Sequence, residues 1–425
     1  MQNVSVGISD VGIYIPTPLM NLDTLFDHRV RQDPSLERRL RRAIDSTGQK
    51  SIRFPHPWED SVTIAAQSAY DLLKRRPEKL PGLRYLATGT ESSVDQSKPM
   101  AAYVEGMLQT AGIDVPETLM TFQAQHACAG GTVAILGIAG LLAMSPGRPE
   151  SGLVISSDVA RYDAPSTAEI THGAGAISVL IENNPRLMEL DLDTQGLCSR
   201  DVDDFFRPNG SVTAKVKGGY SIQCYNEALS VAFHDHCARR GQAPDEVLRG
   251  TDMFIFHVPF KTMALTALQR LASHHIGIHG EELQKFVSDR GFEESLEPNT
   301  VVGNLYTAST LLALVFLLRE RYEKFGREIV GKTFMLGSYG SGNTMIIVSG
   351  RIAPGAPEVI ESWDLDSALT SARPAGLDLY DTWLSAPHSD DKLKQLFTEA
   401  DVAPESFYLG GIREDGYRQY AFKNG

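Results

Sequence analysis

Short apolar runs rich in β-branched residues alternate along this chain with longer runs of helical periodicity. Strands are predicted at 4–9, 83–88, 152–157, 176–181, 252–257, 333–337 and 344–349, each bounded by turn residues. Helices are predicted at 60–74, 98–111, 130–144, 222–239, 261–273, 283–289 and 306–320. Such alternation points to an α/β architecture.

The pattern also repeats. "GAGAISVLIE" (173–182) and "GSGNTMIIVS" (340–349) both place Gly-x-Gly before an apolar strand. "YLATGTE" ends a strand at Glu91, and "MFIFHVP" ends one at His257. "ACAGGTVAILGIAGLL" and "VVGNLYTASTLLALVFLL" each put a polar residue, Cys128 or Asn304, in a small-residue turn before an apolar helix. The spacings are 167 (173 to 340), 166 (91 to 257) and 176 (128 to 304), which predicts two copies of one α/β unit. The division is expected at residues 1–172 and 173–425. Beyond about residue 350 the chain turns acidic and Pro-dotted and reads as an appended segment. Two halves meeting pseudo-symmetrically bring matched strand ends to one central site.

Composition narrows the class. The 425 residues are 42% hydrophobic and 22% charged, ordinary for a globular protein. No run approaches the roughly 18 apolar residues of a membrane span, and the N-terminus carries no basic start or h-region. A cytoplasmic protein is expected. Cys128, Cys198, Cys224 and Cys237 lack disulfide-framework spacing and are expected to be reduced thiols. The net charge of −13 argues against nucleic acid as a partner. One basic run, "VRQDPSLERRLRRA" (29–42), is either a solvated helix face or a docking surface for phosphates.

Four residues end strands or open helices near turns. Cys128 is either a small core residue or a nucleophile at a helix N-terminus, where the dipole favours a thiolate. Glu91 is either a helix-start acid or a base with a pKa raised by burial. His257 ends an apolar strand beside Pro259. Asn304 either caps the next helix or donates to a substrate carbonyl. The turn "GSYGSGN" (337–343) would let backbone N–H groups approach an oxyanion. A thiolate that takes an acyl group, a carboxylate that removes the α-proton, and an imidazole and amide that polarise a carbonyl make a Claisen- or aldol-type set. No metal is expected, because the two histidines of "HDHC" (234–237) point to different sides of a helix.

At these residues the chain resembles hydroxymethylglutaryl-CoA synthases of the thiolase superfamily, from "VGISDVGIYIP" to "SYGSGNTMII". "GTESSVDQSK" resembles the catalytic-glutamate segment, "ACAGGT" the nucleophile segment and "FHVPF" the histidine segment. The resemblance implies catalytic Glu91, Cys128 and His257. It implies substrate contacts through Asp95, Asp158 ("SSDVARY"), Asp204 ("DDFFRPNG"), Lys261, Asn304 and Tyr306 ("GNLYTAS") and Ser341 ("SYGSG"). Three positions depart from the family pattern: Ala129 replaces an aromatic residue, His126 a glutamate, and Thr262 the CoA-binding lysine, with Lys261 one residue earlier. The implied fold is the thiolase fold, two βαβαβαββ halves in five αβαβα layers, usually as a homodimer. The implied reaction joins acetyl-CoA, acetoacetyl-CoA and water into (S)-3-hydroxy-3-methylglutaryl-CoA and CoA. It proceeds through acetyl-S-cysteine, needs no metal or redox cofactor, and feeds isoprenoid synthesis through mevalonate.

Three rivals stay open on sequence. A sister enzyme runs the same chemistry on acyl-carrier-protein substrates in polyketide β-branching. A decarboxylating ketoacyl synthase, suggested by "CAG", needs no glutamate base. A silent thiolase-fold scaffold would keep an inert Cys128.

Overall fold

The computed structural model describes residues 5–385 and 389–425. Nine strands form one central sheet. In spatial order they are Met253–Phe256, Thr333–Gly340, Thr344–Ile352, Met188–Ser199, Val6–Tyr14, Gly173–Asn183, Ser151–Ala160, Leu83–Gly89 and Met120–Ala124. The expected strand over 4–9 begins at Val6 and continues to Tyr14; Val4 lies outside the described residues.

The duplication is visible in the pairing. Leu83–Gly89 runs parallel to Ser151–Ala160, which turns back antiparallel into Gly173–Asn183, itself antiparallel to Val6–Tyr14. Met253–Phe256, Thr333–Gly340, Thr344–Ile352 and Met188–Ser199 repeat that sequence of relations. The first strands of the two halves meet at Gly7 opposite Glu189 and Ile8 opposite Met188. Gly173–Asn183 is hydrogen-bonded to Val6–Tyr14 and Ser151–Ala160, and residues 184–187 link it to Met188–Ser199.

Helices complete five layers. Gly130–Ala143 and Ser309–Phe325 form the middle one; Ile135, Ile138, Leu311 and Val315 share a core with residues of both half-sheets. Ser61–Arg75 and Met100–Thr110 cover the outer face of the first half, and Gly218–Arg240 and Lys261–Ile276 that of the second. This is the expected thiolase architecture. Gly130–Ala143 is apolar or small almost throughout; Ile135, Ile138 and Leu142 are buried in the core, while Val133 and Gly137 are exposed. Gly89 is required where it starts, because a Cβ there would lie 2.2 Å from the Gly131 nitrogen.

The segment beyond 350 is integrated rather than appended. Trp363 Nε1 donates to Asp10 Oδ1 at 3.0 Å, and Tyr380 and Trp383 pack on Phe54. The hairpin Ser406–Ile412/Arg418–Lys423 lays Phe407 and Phe422 on Tyr70. Arg418 and Tyr420 both donate to Asp60, the N-cap of Ser61–Arg75. The acidic, Pro-dotted composition marked short helices and turns, not independence.

Candidate active site

Glu91 follows the Leu83–Gly89 strand, and Cys128 immediately precedes the central Gly130–Ala143 helix. The strand end and the helix start converge, and the Cys128 thiol donates to Glu91 Oε1 at 3.0 Å. Ala127, just before the cysteine, holds φ at 43°. A left-handed alanine costs about 1–3 kcal/mol and persists only where its surroundings impose it. Tyr306 carries the same kind of φ, 46°, across the site.

A cavity of about 220 Å³ opens at Cys128. His257, Asn304, Tyr306 and Ser341 line it, and Tyr162 and Phe205 supply aromatic walls. His257 stands just past the Met253–Phe256 strand, with its N–H on the Gly337 carbonyl at 2.8 Å and Thr310 Oγ1 3.5 Å from Nδ1. The Asn304 side-chain oxygen accepts from the Tyr306 N–H and the Ser309 hydroxyl, while Nδ2 donates to the Tyr162 hydroxyl at 3.3 Å. Gly303 permits this turn: a Cβ there would sit 1.8 Å from the His172 carbonyl oxygen.

Burial sets the protonation states. It pushes the Glu91 carboxyl up to about 8, and the negative charge of Asp158 adds to that, while Arg207 opposes both. Burial first and Glu91 second push the Cys128 thiol up, so desolvation outweighs the helix N-terminus and the resting group is a thiol. Burial takes His257 down to about 3, leaving a neutral imidazole at ordinary pH. The site therefore holds a thiol nucleophile, a Glu91 carboxyl beside it that becomes the proton-accepting carboxylate as pH rises toward about 8, and a neutral hydrogen-bonding histidine opposite.

Residues 2–185 match the family model described as hydroxymethylglutaryl-coenzyme A synthase N terminal, and 279–423 match the corresponding C terminal model. Along its whole length the chain superposes on the structure of MvaS in complex with 3-hydroxy-3-methylglutaryl coenzyme A. The TM-score is 0.83 with 30% identity, covering 100% of both chains. The chain belongs to the hydroxymethylglutaryl-CoA synthase family. It is 26% identical to the hydroxymethylglutaryl-CoA synthase of Haloferax volcanii, over 98% of this chain and 99% of that one. The curacin-pathway HMG synthase in complex with holo donor-ACP shares the fold at a TM-score of 0.81 and 22% identity, over 98% of this chain and 100% of that one.

Within this family architecture, four of the expected substrate contacts stand apart from the cavity. Asp158 is buried beneath the Glu91 loop. Its Oδ1 accepts from Thr90 Oγ1, the Glu91 N–H and Ser92, and its Oδ2 accepts from the Thr307 N–H and hydroxyl. It fastens the loop to the second half. Asp204 likewise braces the Gly-rich turn, accepting from the Tyr339 hydroxyl at 2.8 Å and the Gly342 N–H at 3.0 Å. Asp95 closes its own turn on the N–H groups of Ser97 and Lys98. Lys261 is paired with Glu297 and, at 3.1 Å, with Glu293, so its charge is already matched. Within the chain itself Asp158 and Asp204 position the site, Asp95 closes a turn, and Lys261 is held in an ion pair.

Arg207 was not singled out from the sequence, although it lies inside "DDFFRPNG". Its Nη2 is 3.7 Å from Glu91 Oε2, the nearest positive charge to the candidate base. Tyr162, which holds Asn304, was also missed; an aromatic residue just past a strand carries no distinguishing signal.

Proposed function

We propose that the chain condenses acetyl-CoA with acetoacetyl-CoA and water to give 3-hydroxy-3-methylglutaryl-CoA and CoA. The observation that carries this reading is the Cys128 thiol on the Glu91 carboxylate, at the head of a cavity that also contains His257 and Asn304. Glu91 takes the thiol proton as sulfur attacks the acetyl carbonyl and passes it to the departing CoA thiolate, which returns Glu91 to a carboxylate. Glu91 then removes a methyl proton from acetyl-S-Cys128. The resulting carbanion bonds to C3 of acetoacetyl-CoA, whose ketone accepts a hydrogen bond from the neutral His257 ring, and the alkoxide is protonated. Water cleaves the Cys128 thioester, leaving a carboxylate on the product and a thiol on the enzyme. These steps call for no metal or redox cofactor.

The helix Glu37–Thr47 suits the CoA phosphates. Thr47, at its end, lines the cavity, while Arg38, Arg41 and Arg42 are exposed along an open groove. The same arginines would suit an acidic carrier protein, which keeps the β-branching reading as the second one. Edge strand Met120–Ala124, with Met120 and Val133 exposed, offers a surface for a homodimer. All four cysteines are free, in keeping with a cytoplasmic setting.

Intact-protein mass spectrometry with acetyl-CoA, then acetoacetyl-CoA, tests the reading. An acetyl adduct on Cys128 that disappears as hydroxymethylglutaryl-CoA forms is expected. Acetylation only from a carrier-bound donor would move the assignment to the β-branching enzyme, and no adduct from either donor would overturn both readings.

A further inference from the structure

Behind the Glu91 loop lies a second cavity, of about 290 Å³, which no step of the proposed reaction uses. It shares no lining residue with the acyl cavity. Arg161 lines it, next in the chain to Tyr162 of the acyl cavity. Arg207 lines it too, two residues past Phe205 of the acyl cavity. Ser92 and Ser93, immediately after Glu91, form part of its wall, and Trp383, Val159 and Val212 give it an apolar side.

Its positive charges exceed their matches. The Arg161 guanidinium makes no ion pair or hydrogen bond among the described residues. It lies 4.9 Å from the centre of the Trp383 ring, with Nε buried and unpartnered. Arg207 has Glu91 at 3.7 Å, yet its Nε and Nη2 are buried without a hydrogen bond among the described residues. The third cation, Arg418, is matched by Asp60 at 2.7 Å. Two acids, Asp60 and Glu59, also line the cavity, one fewer than the three arginines, and both are hydrogen-bonded to other groups. Asp60 caps the Val62 and Thr63 N–H groups besides holding Arg418, and Glu59 accepts from the Tyr14 hydroxyl and the His56 N–H. Burial, with the charges of Arg418 and Arg207, takes Arg161 down to about 10, which leaves it a cation at ordinary pH.

Buried guanidinium groups without acceptors are costly unless an anion completes them. Their planar fork fits carboxylate oxygens, and the apolar side of the cavity favours a carbon chain over a bare inorganic ion. We propose that this cavity is a ligand site separate from the acyl cavity, taking the carboxylate of a small organic acid between Arg161 and Arg207 with its carbon chain against Trp383. Occupancy places an anion against Arg207, the cation beside Glu91, and so couples the site to the candidate base. The site rests on its own cations and apolar wall, not on the condensation reading.

Glutarate is the probe, titrated calorimetrically into the full chain. Arg161→Met is expected to weaken binding about tenfold or more, as loss of a charge-assisted pair does, while its ligand-free melting temperature does not fall below wild type. Should that variant fold poorly, Val212→Glu is the second one: it places a carboxylate at an exposed position of the same wall and is expected to abolish glutarate binding. Equal glutarate affinity in wild type and a folded variant would overturn the proposal, as would no binding to wild type at millimolar glutarate. Inorganic phosphate binding as tightly as glutarate, with the same dependence on Arg161, would overturn the assignment to an organic acid.

Discussion

The Cys128 thiol and the Glu91 carboxylate are hydrogen-bonded at 3.0 Å, although 37 positions separate them in the chain. The nucleophile's proton acceptor is thus built into the resting site. Cys128→Ser is expected to lose nearly all condensation while still binding acyl-CoA, because a hydroxyl beside the same carboxylate is a far weaker nucleophile. Substituting Cys198, Cys224 or Cys237 by Ala is expected to leave turnover largely intact. Adduct formation by mass spectrometry separates the four positions.

Glu91 gives a pH signature of known sign. Its ordinary value is 4.5, and burial with Asp158 lifts it to about 8. Between those values the folded chain holds a proton that the unfolded chain releases, so stability falls as pH rises through that window. The bound is about 5 kcal/mol. Urea titrations from pH 5 to 9 are expected to show the fall in wild type and a flatter profile in Glu91→Gln. In the same range the condensation rate should rise with pH in wild type, as the carboxylate form appears. A rate that is flat through pH 8 would remove Glu91 as the base.

His257 acts later in the reaction, so its loss should divide the two half-reactions. His257→Ala is expected to retain acetylation of Cys128 and to slow carbon–carbon bond formation by about 10²–10⁴-fold. The acetyl-enzyme should then accumulate when acetoacetyl-CoA is present. Rapid-quench mass spectrometry reads this directly. Equal losses in acetylation and condensation would mean that the histidine holds the cavity's shape instead.

The sequence and the structure agree where burial writes a pattern. Strands such as Ser151–Ala160 and Thr344–Ile352 are covered on both faces and read as continuous apolar runs. Met120–Ala124 and Met188–Ser199 were not predicted. The first is a half-covered edge, and the second is interrupted by Glu189, Asp191 and Asp193. At the site, strand ends and small-residue turns marked Glu91, Cys128, His257 and Asn304. Matching motifs could not separate a residue that faces the cavity from one that holds the loop behind it. Asp158 and Asp204 sit in family segments equally well in either role, and only their hydrogen bonds distinguish them. The ion pairs of Lys261 were equally hidden in the sequence: its partners Glu293 and Glu297 lie on a later helical stretch, and charge pairing across that distance leaves no local trace.

Asp158 should therefore behave as a structural tie. Asp158→Ala strips acceptors from buried groups of Thr90, Ser92 and Thr307 on both halves, and is expected to cost about 3–5 kcal/mol. Denaturant unfolding should show the loss. The melting temperature should fall without any ligand, whereas a carboxylate that only touched substrate would leave the ligand-free value at wild type.

The arginine helix and Lys261 make opposite predictions about salt. Arg38 and Arg42 are exposed and unpaired among the described residues, so their attraction for CoA phosphates acts through solvent. Arg38→Glu/Arg42→Glu should raise the KM for acetoacetyl-CoA about tenfold at low ionic strength and leave kcat near wild type. The difference should shrink as salt shortens the Debye length from about 10 Å at 0.1 M to about 3 Å at 1 M. Lys261→Met should change KM less than about threefold, because two carboxylates already match that ammonium. If Lys261→Met instead raises KM tenfold and the double arginine variant does not, the lysine must leave Glu293 and Glu297 to meet the phosphates, and the mouth of the cavity rearranges on binding.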